Sequence, residues 1–181
     1  MTAALLPRAL GPAFERLPFP IRAMHTEAEP RVAIGRGDVT LGHGWLARLL
    51  AACLHLPAEG RDQPLTVWFT PTDGRERWTR RFGRHAFTSL LGPRADGVLV
   101  ERAGPLAVAM RPVAAPAGLT LERVRVWFCG VPLPAALAPR FTARIRAPEC
   151  LYRFEVAISL PLVGELIRYA GWLAPPRPLD G

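Results

Sequence analysis

The chain has 181 residues, half of them hydrophobic and 21% charged. That length fits one domain able to bury roughly 70% of the surface its unfolded form exposes, and the balance excludes wholesale disorder. The formal charge is +8, all 23 basic residues are Arg, and Lys and Asn are absent; this is the usage of a GC-rich genome, and it attracts anionic membranes, nucleic acid or acidic proteins at low salt.

Residues 1–24 read as a proline-rich arm. Pro7, Pro12, Pro18 and Pro20 punctuate it, leaving room for a short helical turn around Ala13 to Leu17. No charged region precedes its apolar stretch, so it does not read as a secretory signal. The domain proper is expected over 25–174, followed by an extended tail, 175–181. One helix is predicted over 44–56, where Trp45, Leu46, Leu49, Leu50, Cys53 and Leu56 recur at three- and four-residue steps and Pro57 ends the pattern. Trp45, Leu49 and Cys53 are expected to be buried against a sheet.

Nearly all the remaining sequence alternates at period two. Strands are predicted at 31–36, 64–71, 75–83, 85–91, 97–103, 105–113, 119–129, 141–147 and 151–159. Segment 163–173 reads as a strand, with a helix as the alternative. Short connections make sequential strands antiparallel neighbours. So many strands must close or bend to hide their edges. The expected fold is therefore mostly β, an antiparallel meander forming a closed or half-closed barrel with one early helix. The alternatives are a helix-grip α+β fold with a C-terminal helix and, third, a two-sheet sandwich. The longest charge-free apolar run near the C-terminus, Val156 to Gly164, is too short to cross a bilayer as a helix.

The segment Arg75 to Gly83 carries the most chemistry. One parity holds Glu76, Trp78, Arg80 and Phe82, and its aromatics mark it as the inward face. Arg80 then lies between aromatics and needs a carboxylate, for which Glu76 and Glu101 are the candidates. It either closes a structural ion pair or grips an anionic group of a ligand. The opposite parity, Arg75, Arg77 and Arg81, is basic, as are the pairs Arg123 with Arg125 and Arg144 with Arg146. These read as solvated faces, with contact to anionic lipid as the alternative. His85 shares parity with Phe87 and Ser89. Glu101 and Glu155 are the carboxylates available for acid–base work, although no spacing pairs them.

Several familiar motifs are missing. Gly35-Arg36-Gly37 starts a dinucleotide fingerprint, but Thr40 stands where its third glycine belongs. There is no phosphate loop, zinc-protease motif or nucleophile elbow. Cys53, Cys129 and Cys150 have no metal-type spacing and are expected as free buried thiols in a reducing cytoplasm. Neither a metal nor a cofactor is expected. Nucleic acid is an improbable partner, since no recognition helix, stacking series or zinc site is visible.

Taken together, several segments resemble one bacterial family, domain of unknown function 4166. They include Leu17-Pro18 with Ile21-Arg22 and His25, Gly35-Arg36-Gly37, and Trp78-Thr79-Arg80-Arg81-Phe82. Further along come Phe87-Thr88-Ser89, Glu101-Arg102-Ala103-Gly104 and Gly130-Val131-Pro132-Leu133-Pro134. The series ends with Pro139, Phe154-Glu155-Val156, Leu160 to Gly164 and Tyr169 to Leu173. Domains of this family also occur fused behind dehydrogenase-like or epimerase-like nucleotide-binding domains. The resemblance therefore implies no set activity, but by association a helper role beside oxidoreductases acting on lipid-like or sugar-like substrates.

The first reading is a non-catalytic binding domain holding a hydrophobic or amphipathic ligand inside the barrel. Trp78, Phe82, Phe87, Tyr152 and Phe154 would line the site, with Arg80 and Glu101 as its polar members. The Gly-x-Trp signature of lipid-carrier barrels is missing from the first strand, so their function does not carry across. The second reading is a scaffold module with a filled core that docks an oxidoreductase or an anionic membrane surface; the third is a small cofactorless enzyme using Glu101 or His85. The expected partners are a lipid-like small molecule, an oxidoreductase and a weak anionic membrane contact. The expected location is cytoplasmic, peripheral at the inner membrane if the membrane contact forms.

Overall fold

The computed structural model describes residues 4–27 and 29–179. Twelve strands follow one another: β1 (Arg31–Leu41), β2 (Gly60–Thr72), β3 (Arg75–Phe82), β4 (His85–Pro93), β5 (Leu99–Ala103), β6 (Leu106–Ala115), β7 (Gly118–Phe128), β8 (Val131–Pro132), β9 (Arg140–Arg146), β10 (Tyr152–Leu160), β11 (Gly164–Leu173) and β12 (Arg177–Pro178). Sequential strands pair antiparallel from β1 to β8 and from β9 to β11, β7 also pairs with β9 across the short β8 hairpin, and β12 pairs with β1. Pairing of β1 with β11, from Gly35 with Leu173 to Leu41 with Ile167, closes a ten-strand antiparallel barrel that leaves out β8 and β12. The last long segment is therefore a strand, which excludes the helix-grip arrangement.

Local chemistry supports this topology. Asp73 and Gly74 both have positive φ, 47° and 73°, and form a two-residue turn joining β2 to β3; the mirror-image turn matches the strand twist. Closure requires bare backbone. A Cβ on Gly35 would lie 1.8 Å from the Trp172 carbonyl oxygen across the β1–β11 seam. The glycines of Gly35-Arg36-Gly37 thus serve a seam between strands and not a nucleotide loop.

The N-terminal arm differs from expectation. It folds as α1 (Leu5–Leu10), a 3-10 helix (Gly11–Arg16) and α2 (Phe19–His25). Pro7, Pro12 and Pro20 all stand in first turns, where the N–H they lack has no helical partner to lose. Leu5, Leu6, Phe14, Leu17, Ile21 and Met24 join the core that Leu91, Leu99, Met110, Leu119 and Ile145 form inside the barrel. The arm is a plug sealing one end of the barrel and not an appendage. The tail is extended, as expected, but it packs: β12 continues the sheet beside Arg31 and Val32.

The helix between β1 and β2 is α3 (Trp45–Cys53), but its packing is the reverse of that expected. Ala47 and Ala51 are buried against Leu166, whereas Trp45 is 77% and Leu49 53% exposed and Cys53 is also exposed. Small side chains allow the helix to lie close to β11; the larger stripe would hold it away. Cys129 and Cys150 are exposed too, which corrects the expectation of buried thiols. A register slip between Ala109 and Met110 takes Arg123 and Arg125 off a common face; Arg123 is half-buried and Arg125 exposed. Arg75, Arg77 and Arg81 are exposed on one face, as are Arg144 and Arg146. Among the described residues no helix is long and apolar enough to cross a membrane.

Candidate functional site

The interior is organised by the inward parity of β3. At the plugged end, Glu76 is buried and pairs with Arg31 at 2.9 Å. Arg31 also donates to the Met24 carbonyl of α2 and lies 4.6 Å from the centre of the Phe69 ring. Trp78 Nε1 donates to the second Glu76 oxygen at 2.5 Å. Two residues further, Arg80 donates to Glu101 Oε1 at 3.0 Å and to Ser89 Oγ at 2.8 Å, and the Ser89 hydroxyl donates to the same Glu101 oxygen. The Arg80 guanidinium lies 4.8 Å from the Trp78 ring centre and 5.6 Å from that of Phe87. Each inward arginine has its own carboxylate, as buried charge requires. Of the two candidate partners for Arg80, Glu101 is the one it meets; Glu76 is held by Arg31.

His25, on α2, is stacked on Trp78 with ring centres 5.8 Å apart, and its Nε2 lies 3.3 Å from the Tyr152 hydroxyl. Burial, then the nearby Arg31 charge, pushes its pKa down to about 3, so the ring is neutral. Burial raises the Tyr152 hydroxyl well above the ordinary tyrosine value against the pull of Arg80 and Arg31. Tyr169 is pushed up to about 12 by burial, with Arg80 opposing and Glu101 adding to the shift. Burial disfavours the Arg80 charge, but Glu101, Tyr169 and Tyr152 outweigh it, so its pKa is raised.

A cavity of about 80 Å³ remains at the centre. Trp78, Arg80, Phe82, Glu101, Tyr152 and Phe154 all line it. Phe87 stands beside them, parallel to Phe82 with ring centres 6.4 Å apart. Sequence reasoning missed Tyr169, which also lines the cavity, and the Arg31–His25 layer beneath it. Tyr169 shares parity with Ile167 and Leu173, so a firm strand assignment for 163–173 would have found it. Nothing local marks Arg31 or His25, because both acquire their partners from distant segments.

Other candidates fall apart. His85 lies at the unplugged end, its Nε2 2.5 Å from the His55 carbonyl oxygen, while Glu101 faces Leu91 in register nearer the plug. Glu155 faces outward and pairs with Arg168 at 2.7 Å, so it forms no carboxylate pair with Glu101. Among the described residues, no three His, Cys, Asp or Glu side chains converge as a metal site.

The fold defines the class, a closed up-and-down antiparallel β-barrel plugged by its own N-terminal helices. The chain belongs to the family described as domain of unknown function (DUF4166), which it matches over residues 17–173, from the approach to α2 through the last barrel strand. No curated protein and no solved structure matches the chain.

Proposed function

We propose that the barrel binds a small neutral amphipathic molecule through its unplugged end. The observation that carries this reading is the pair of polar atoms on the cavity wall. Glu101 Oε2 and the Tyr169 hydroxyl receive or make no hydrogen bond among the described residues, yet both side chains line an otherwise largely apolar cavity. They offer one acceptor and one donor–acceptor to a ligand hydroxyl or amide. Arg80 is already engaged by Glu101 and Ser89, so an anionic head would meet a carboxylate instead of a free cation. Ligand sites usually enclose roughly 300–1,000 Å³, so the 80 Å³ space takes only the end of a molecule. The remainder runs outward along Phe87, Phe141, Phe154, Val156 and Ile158, which are half-buried.

Titration with decanol, followed by native mass spectrometry and calorimetry, tests this reading. Saturable one-to-one binding is expected, abolished by filling the cavity with Ala143→Leu and weakened by Tyr169→Phe. Absence of saturable binding, or indifference to Ala143→Leu in a folded protein, refutes it.

A second observation favours docking to an anionic membrane surface at the same end. Trp45, Leu49, Phe128, Val131, Leu137 and Leu162 are all exposed, Leu162 completely. They sit on three neighbouring connections around the unplugged rim: α3, the β10–β11 turn and the β7–β9 crossing. The last two connections contain no acid, and Arg48 and Arg84 flank the rim, where Glu59 and Glu165 also stand, whereas Glu15, Glu27, Glu29, Asp73, Asp96 and Glu149 belong to the plugged end. Apolar side chains bordered by cations suit an anionic interface.

A further inference from the structure

On the outside of the barrel, away from the cavity, we infer a site for a phosphorylated small molecule carrying an aromatic ring, built across β9, β10, β11 and β1. Strand register places Arg146 directly opposite Arg153, Arg153 opposite Trp172, and Trp172 opposite Arg36, so four adjacent strands present one lateral row of three arginines and a tryptophan. The neighbouring row adds Arg144, opposite Glu155. These residues border an open cleft of about 430 Å³, within the range of small-molecule sites.

The cleft lining carries four arginines against three acids, Asp38, Asp62 and Glu155, and Asp38 accepts a hydrogen bond from the Asp62 backbone N–H. Arg36 is held by Asp62 through two hydrogen bonds, and Glu155 is taken by Arg168. Arg144, Arg146 and Arg153 form no ion pair among the described residues. Like charges directly opposite on neighbouring strands destabilise a sheet, and the Arg146–Arg153 pair is one. An anion between them removes the repulsion, and two guanidinium forks match the several oxygens of a phosphate.

Trp172 supplies the second half of the site. Trp68, Trp78 and Trp127 each carry an arginine guanidinium near the ring, at 5.1, 4.8 and 5.5 Å. Trp172 has arginines on both sides in register and carries neither over its ring, because Asp62 draws Arg36 away. Its half-buried indole lies in the cleft beside the unpaired arginines. A planar ring stacks there while its phosphate meets Arg146 and Arg153.

Calorimetric titration at low salt with adenosine 5′-monophosphate, inorganic phosphate and adenosine tests the assignment. The monophosphate is expected to bind saturably and at least tenfold more tightly than phosphate. Arg146→Gln and Arg153→Gln, both at exposed positions, should each weaken it tenfold or more. Trp172→Leu should bring it down to the phosphate level. Without ligand, Arg153→Gln should melt at or above the wild-type temperature, and phosphate should raise the melting point of the wild type more than that of the variant. Monophosphate binding that is unsaturable, or unchanged in both arginine variants, overturns the site. Equal affinity for phosphate and monophosphate removes the ring from it. Tight binding of a single-stranded oligonucleotide without binding of the monophosphate replaces it with a nucleic-acid surface.

Discussion

Arg80 is 11% exposed and holds Glu101, Ser89 and two aromatic rings around it. Replacing it with Met keeps much of the stem but strands the Glu101 carboxylate. A loss of roughly 3–5 kcal/mol is expected, as for other broken buried pairs. Adding Glu101→Gln should restore part of it, measured by urea unfolding. If Arg80→Met alone leaves stability unchanged, the pair is not the structural element described. His25 makes a pH-dependent contribution. Its folded pKa, about 3, lies below the ordinary 6.5, so the unfolded chain takes the proton first. Its contribution is complete above pH 6.5 and is lost as pH falls from there towards 3. Between pH 7 and 5 the loss is about 2 kcal/mol, and His25→Leu should reduce the pH dependence by that amount. Equal pH slopes in both proteins would exclude His25 as the cause.

At the scale of elements, the exposed and buried sides of α3 predict opposite outcomes for the same chemical change. Leu49→Asp, on the exposed side, should alter stability by no more than about 0.5 kcal/mol. Ala51→Asp puts an unpaired charge against Leu166 and should cost several kcal/mol. Thermal melting of the two variants decides the orientation, and a reversed order would turn the helix over. The N-terminal helices depend on the barrel in the same way. They are too short to be stable alone in water, and their stability comes from Leu6, Phe14, Ile21 and Met24 entering the core.

For the whole molecule, the ends differ in kind. One is sealed by α1, the 3-10 helix and α2; the other carries exposed apolar side chains on three neighbouring connections. Flotation with vesicles containing anionic lipid should recover the protein at low salt. Trp45→Ser combined with Leu162→Ser should weaken recovery at least tenfold, and about 0.5 M salt, where the screening length is only a few ångströms, should reduce it. Recovery unaffected by the double substitution would move any membrane contact away from this rim. The closed sheet also explains the distribution of charge. Each barrel strand pairs with a neighbour on both sides, so only short stretches such as His85–Ser89 of β4 and Arg111–Ala115 of β6 lack a partner beside β5, and the arginines other than Arg31 and Arg80 are left to the outer faces and rims.

The sequence by itself determined the alternation, and with it the strands, their antiparallel order and the inward parity of Trp78, Arg80 and Phe82. These follow from the two-residue period of an extended chain and from short connections, both local properties. It also narrowed the partner of Arg80 to two glutamates, since a buried cation requires one. Only the tertiary structure decided which glutamate, because Arg31, from the start of β1, takes Glu76 and leaves Glu101. It alone decided that the prolines of the first residues open helices that plug a barrel, since proline in a first turn and proline in a loop look the same in sequence. The face of α3 was decided by close approach to β11, where alanines fit and a larger stripe does not. The Arg146–Arg153 pair lies across a sequential hairpin, but Arg36 comes beside Trp172 only when β1 meets β11, a seam joining strands more than 120 residues apart, and no local pattern records such a meeting.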